Sequence, residues 1–231
     1  MADRAPDLVE RAVARPLAGR YEVSAAEVQR LIEATYTVIE RTGSLDPTVR
    51  DILHESGLSN QVFYRHFRSK DDLLIALLDH GRRRMADHLR HRISAAEGPL
   101  DAVRAWIEGV LAQAADQRAA ARTRPFLAHV DRLAARFPEE QRASEEAMIQ
   151  PLASALREAA ATGVRTGTGA GVDHDRDART VYLLTIAVLH EHLRTGTRPD
   201  PAETEHLVRF ALAGLSLSSA PDPRHPLGSR D

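Results

Sequence analysis

Apolar residues along this chain recur at spacings of three and four, with no sustained period-two alternation, and that spacing predicts helices throughout. Val28, Leu31, Ile32, Thr35, Val38 and Ile39 share one helical face. Ser24-Ala25-Ala26-Glu27 ahead of them fits a capping box, and Gly43 supplies the stop. Residues 1–23 hold Pro6, Pro16 and mixed charge with little periodicity, and are expected to form a mobile arm. A short second helix is expected near Asp46-Pro47-Thr48, capped by Asp46 or Thr48, with Pro47 suited to its first turn and Gly57 at its end. Its buried face is Val49, Ile52 and Leu53. Ser59 caps a third helix, of about nine residues, in which Phe63 and Phe67 share a face. Ser69 caps a fourth, with Asp71 and Asp72 in the first turn, where the helix dipole favours anions. Its apolar stripe is Leu74, Leu77, Leu78, Met85 and Leu89.

Past Gly98-Pro99 the pattern lengthens into helices over 100–120, 125–137, 139–162, 174–195 and 201–218. Pro125 and Pro138 read as helix starts and Pro151 as a kink. Residues 163–172 carry four glycines and are expected to be a loose loop; the tail from 219 has three prolines and is expected to be disordered. The expected fold is all-α, divided into 1–23, 24–69, 70–218 and 219–231, with the fourth helix as the link.

Composition narrows the function. With 231 residues, 43% of them hydrophobic and 28% charged, this is an ordinary globular chain. It has no cysteine, which excludes disulfides, thiol nucleophiles and cysteine zinc sites. No apolar run is long enough for a membrane helix, no leader segment is read, and the cytoplasm is the expected compartment. A net charge of −2 argues against a general polyanion coater, yet residues 48–92 alone carry +3. Three of the ten aromatics, Phe63, Tyr64 and Phe67, fall within the eight residues ending at Lys70, the single lysine among 31 basic residues.

Thr48 to Lys70 reads as helix, glycine turn, helix, a unit that lays its second helix in the DNA major groove. Burial of Leu58, Phe63 and Phe67 would set the angle between the helices, leaving Asn60, Gln61, Val62, Tyr64, Arg65 and His66 for the other faces. Asn and Gln pair bidentately with adenine, and an apolar group touches a thymine methyl. Tyr, His, Thr, Arg, Lys and an exposed helix N-terminus such as that at Ser59 suit phosphate.

The runs Thr48-Val-Arg-Asp-Ile-Leu-His-Glu-Ser-Gly-Leu-Ser59 and Phe63-Tyr64-Arg65-His66-Phe67-Arg68-Ser69-Lys70-Asp71-Asp72-Leu73-Leu74 resemble the DNA-binding domain of the TetR family of bacterial transcription regulators. The resemblance covers residues 25–75. It implies a homodimer on a pseudo-palindromic operator of double-stranded DNA. It also implies a C-terminal helical domain that holds a small-molecule effector and dimerises through its last two long helices. It assigns phosphate contacts to Thr48, Tyr64, His66 and Lys70, a position near DNA to Arg50, and base reading to Asn60, Gln61 and Val62. Leu53 stands where the family usually has alanine, and Gln61 where glycine is frequent, adding a reader.

Other chemistry is thinner. His88 and His91, and His190-Glu191-His192, lack a third ligand at a recognised metal spacing. Gly167-Thr-Gly-Ala-Gly171 follows no strand, and no Ser, His and Asp set has catalytic spacing. Arg82-Arg83-Arg84 is expected to be a solvated face or interdomain packing. No enzyme activity, cofactor or metal is expected. Trp106, Phe126, His129, Phe137, Met148, Tyr182 and His190 are the large or amphipathic residues of the C-terminal helices. An apolar effector is expected near Trp106 and Phe126, with His129 or His190 as its polar contact. The expected function is a ligand-responsive repressor that leaves its operator on binding effector. The alternatives are a helical enzyme or metal protein that uses the helix-turn-helix only for packing, and an activator or a regulator without an effector.

Overall fold

A computed structural model describes residues 8–161 and 173–215; side chains are described from residue 22. The expected glycine loop at 163–172 and tail at 219–231 lie outside the described residues. Among the described residues the chain is all-helical: α1 Leu8–Thr42, α2 Val49–Ser56, α3 Asn60–His66, α4 Lys70–Ser94, α5 Pro99–Ala115, α6 Gln117–Leu127, α7 Val130–Arg136, α8 Pro138–Ala161, α9 His174–Thr195 and α10 Pro201–Gly214.

Two compact units divide the chain, Met1–Leu77 and Leu78–Asp231. In the first, Leu31, Ile32, Val38 and Ile39 of α1 are buried together with Ile52, Phe63, Leu73, Leu74 and Leu77. Lys70–Leu77 of α4 thus belongs to the first unit, eight residues beyond the expected boundary at 69. The Tyr36 hydroxyl fastens it by donating to the Leu77 carbonyl at 2.9 Å.

The second unit is built around α5, which packs against α6, α8, α9 and α10. Its core gathers Val103, Trp106, Ile107 and Val110 with Met148, Ile149, Leu152, Val181, Tyr182, Leu189, Leu193 and Val208. The second half of α4 reaches α5 at Gly109, where an added Cβ would stand 2.7 Å from Leu89 Cδ2 and 3.1 Å from Arg92 Cδ. A side chain there would require Leu89 to move. Arg92 seals the approach, its Nε donating to the Ala105 carbonyl at 3.0 Å.

Three expectations about the helices are corrected. Helix α1 starts at Leu8, so residues 8–23 are helix rather than arm, and Ser24 lies inside the helix instead of capping it. That segment is rich in Ala, Leu, Glu and Arg, strong helix formers, and their propensity outweighs the missing amphipathic period. The helices expected over 100–120 and 125–137 are three. The Asp116 carboxylate accepts from the Ala119 amide at 2.7 Å, starting a new helix in the middle of an alanine run. Pro125 falls inside α6 rather than at a start, and α7 follows from an N-cap at His129. The third helix is shorter than expected because Phe67 turns to extended geometry, φ −129° and ψ 128°. Pro138 opens α8 and Pro151 lies within it.

Candidate nucleic-acid interface

Local chemistry builds the two-helix unit. Thr48 is the N-cap of α2: its hydroxyl oxygen accepts from the Asp51 amide at 3.1 Å, and the Asp51 carboxylate accepts from the Thr48 amide at 3.2 Å. The Thr48 hydroxyl also donates to that carboxylate at 2.6 Å. These bonds from Thr48 hold the Asp51 carboxyl below its usual range. Pro47 therefore precedes the cap, buried, rather than opening the first turn. Gly57 closes α2 at φ +64°, a left-handed conformation that glycine adopts without the steric cost of a Cβ. The Arg30 Nη2 of α1 donates to the neighbouring Ser56 carbonyl at 2.6 Å and pins that turn.

The Ser59 hydroxyl oxygen caps α3 by accepting from the Val62 amide at 3.4 Å. Phe63 is fully buried, and its ring lies 5.2 Å from Tyr64 edge-on and 5.9 Å from Phe67. Leu58 is half-buried. The buried Phe63 fixes the roll of α3 and leaves Asn60, Gln61, Tyr64 and Arg65 exposed, with Val62 and His66 half-buried. Tyr64 has 60% of its surface exposed, an aromatic display more typical of a binding face than of a core.

Acidic residues engage several of the expected DNA contacts. Arg65 Nη2 donates to both carboxylate oxygens of Glu27 on α1, at 2.7 and 2.6 Å. His66 Nε2 hydrogen-bonds the same carboxylate at 2.7 Å. The His66 bond first, and then that from Arg65, hold the Glu27 carboxyl below its usual range. Lys70 Nζ pairs with the Asp46 carboxylate. Arg50 is exposed on α2. Nothing local in the sequence marks Glu27 or Asp46 as a partner of these basic groups. Glu27 is spaced for a capping box, and no local signal announces a partner 38 residues on.

In the second unit the expected effector residues fall into two groups. Trp106, Met148 and Tyr182 meet in the core: the Trp106 indole donates to the Met148 carbonyl at 3.1 Å, and the Trp106 and Tyr182 rings lie 6.3 Å apart. Burial pushes the Tyr182 phenol up to about 12. Burial, with a smaller contribution from the Arg82 charge, pushes His190 down. Arg82 Nη1 donates to the Ser144 hydroxyl at 2.8 Å. One turn away, the Gln141 amide donates to Glu145 at 2.7 Å. That bond fixes the amide's orientation and leaves Gln141 Oε1 buried without a hydrogen-bond partner among the described residues. Phe126 is buried outside the core cluster that holds Trp106, and His129 is half-buried at the start of α7. Phe137 is also half-buried, beneath the Arg136 guanidinium. Among the described residues no three metal-ligating side chains cluster. His192 is bonded to Thr197 and Glu203 instead.

Residues 31–77 match the family model described as bacterial regulatory proteins, tetR family. The HTH-type transcriptional regulator BetI of Brucella anthropi is 35% identical over 79 residues, 34% of this chain and 41% of that protein. The chain thus matches about two fifths of the length of such curated relatives. A TetR transcription regulator from Haloarcula marismortui has the same fold, with a TM-score of 0.62 at 19% identity over 83% of this chain and 97% of that one. The transcriptional regulator FadR of Bacillus subtilis, solved with stearoyl-CoA, gives 0.55 at 18% identity over 81% and 95%. Its capped helix-turn-helix thus lies in a segment, residues 31–77, that is similar to the TetR family of bacterial regulatory proteins, and its helices share the fold of solved regulators of that kind.

Proposed function

We propose that this chain is a ligand-responsive repressor that acts in the cytoplasm as a homodimer. The observation that carries the DNA-facing half is α3. Its buried Phe63 turns Asn60, Gln61 and Tyr64 outward, with the Thr48 cap and Lys70 at its flanks. Asn60, Gln61 and Val62 read bases; Thr48, Arg50, Ser59, Tyr64, His66 and Lys70 serve the backbone and set the register. Two copies would present α3 about 34 Å apart, one helical turn of a pseudo-palindrome.

Dimerisation through α9 and α10 is supported by their outer faces. Leu183 and Phe210 are 54% and 60% exposed, although the opposite face of α9 is core. The effector half rests on the buried Trp106, Met148 and Tyr182, with the half-buried His190 and the Arg82 charge that acts on both Tyr182 and His190. That group combines apolar side chains with a few polar atoms, the residue types of a small-molecule site. Phe126 and His129 form an outer flank of the same reading. Ligand-responsive action is also in keeping with the FadR structure that carries stearoyl-CoA. Helix α4 begins in the first unit and ends in the second, which makes it the lever in this reading. An effector that favours another helix arrangement would weaken DNA binding by about 1–3 kcal/mol, and DNA would weaken effector binding equally.

Selection of duplexes from a random pool by the full chain tests this reading. The expected product is a pseudo-palindrome with half-sites one turn apart, released by an apolar small molecule. A pool with no enriched sequence contradicts the regulator; enrichment without any releasing compound leaves a regulator with no effector.

A further inference from the structure

Glu27 lies on α1, yet its carboxylate is spent entirely on α3. Arg65 Nη2 takes both oxygens at 2.7 and 2.6 Å, and His66 Nε2 meets Oε2 at 2.7 Å. This is not a loose surface pair. The Glu27 side chain keeps 17% of its surface and His66 12%, while Arg65 keeps 52%. Three charge-assisted contacts on one half-buried carboxylate define its position and that of both partners. Arg65 is the sole arginine of α3, adjacent to the exposed Tyr64.

An arginine at that place is a strong phosphate donor, and phosphate contacts carry no sequence information. Each one adds to affinity for every duplex alike and steepens the dependence on salt. With Nη2 held on Glu27, the Arg65 guanidinium is drawn toward a carboxylate that offsets its charge, which weakens its pull on a phosphate. We propose that Glu27 is a specificity-determining residue of the DNA interface: it withholds the Arg65 guanidinium from phosphate and holds the His66 ring in place, so that indiscriminate binding stays weak and discrimination rests on Asn60 and Gln61. This departs from the assignment of Arg65 as a DNA contact. It rests on the proposed DNA-facing role of α3.

The test compares a random-sequence duplex with a duplex selected by the wild-type chain, each titrated over a range of salt. Glu27→Gln keeps the shape of the side chain and removes its charge. The expected result is a gain of about five- to tenfold on the random duplex and a salt slope steeper by about one, the contribution of one phosphate. The gain on the selected duplex is smaller, so the specificity ratio falls. In an Arg65→Ala background, Glu27→Gln then changes random-duplex affinity less than about twofold. Glu33→Gln, which neutralises an exposed carboxylate of α1 bonded to Gln29, has little effect. An unchanged random-duplex affinity for Glu27→Gln, the same gain in the Arg65→Ala background, or the same gain from Glu33→Gln overturns the proposal. Should Glu27→Gln fold poorly, Arg65→Ala alone decides: a withheld arginine leaves the slope as it was, and loss of about one unit of slope overturns the idea. Wild-type chain that binds no duplex overturns the DNA-facing role of α3, and this proposal with it. Wild-type binding with an unresponsive Glu27 overturns this proposal alone.

Discussion

The Trp106 indole nitrogen donates to the Met148 backbone carbonyl across 3.1 Å, tying α5 to α8 inside the core of the second unit. Trp106 is fully buried, so the bond forms out of water, where leaving either partner unmet costs about 1–3 kcal/mol. Trp106→Phe also removes ring volume from a closed core. The two losses together should lower stability by about 2–4 kcal/mol in urea denaturation. A change below about 0.5 kcal/mol would show that the bond and the packing contribute little.

Gly109 sets two effects against each other. Alanine is the better helix former by about 1 kcal/mol. Its Cβ would sit 2.7 Å from Leu89, which is fully buried, and 3.1 Å from Arg92. Displacing a buried leucine in a packed core costs about 1–3 kcal/mol, so overpacking should win. Gly109→Ala is expected to lower the urea midpoint. A stabilised Gly109→Ala would mean that α4 and α5 part easily.

His190 makes stability depend on pH. Burial first, and then Arg82, hold it below the ordinary 6.5. As pH falls the unfolded chain therefore takes up this proton before the folded one. The stability tied to His190 is complete above 6.5 and is lost as pH falls through the folded value. Thermal melts of wild type should fall between about pH 7.5 and 5.5 by more than those of His190→Gln. Equal falls would remove His190 from the account. Glu27 and Asp51, both held low by hydrogen bonds, add a further loss in the acid range, at and below the ordinary carboxyl values.

Leu183 and Phe210 test the assembly. Both are large, apolar and exposed on α9 and α10. Leu183→Glu should weaken self-association at least about tenfold in sedimentation equilibrium, about 1.4 kcal/mol, while leaving the helical content intact. An unchanged dimer would put the interface elsewhere.

The first unit is legible in the sequence because its elements are set by chemistry that acts within three or four residues. Thr48 with Asp51, Ser59 with Val62, and Gly57 after Leu53 each show as a local pattern, and Phe63 and Phe67 mark the buried side. The Glu27 clamp is not legible, since its partners are far along the chain. The break at Asp116 is hidden for a different reason: alanines on both sides favour helix, and only the cap geometry shows that one helix ends and another starts. In the second unit, large residues such as Trp106 and Tyr182 look alike in sequence whether they fill a core or wall a site. Their burial and the orphaned Gln141 oxygen are properties of packing.

In the proposed complex α3 reads bases while its flanks hold phosphate. Titrating Gln61→Ala and Lys70→Ala against the selected and the random duplex over a range of salt tests it most directly. Gln61→Ala should lose about 1–3 kcal/mol on the selected duplex and little on the random one. Lys70→Ala should lose affinity on both alike and flatten the salt slope by about one, as Lys70 exchanges Asp46 for phosphate in the complex. Equal losses on both duplexes for Gln61→Ala would contradict base reading by α3.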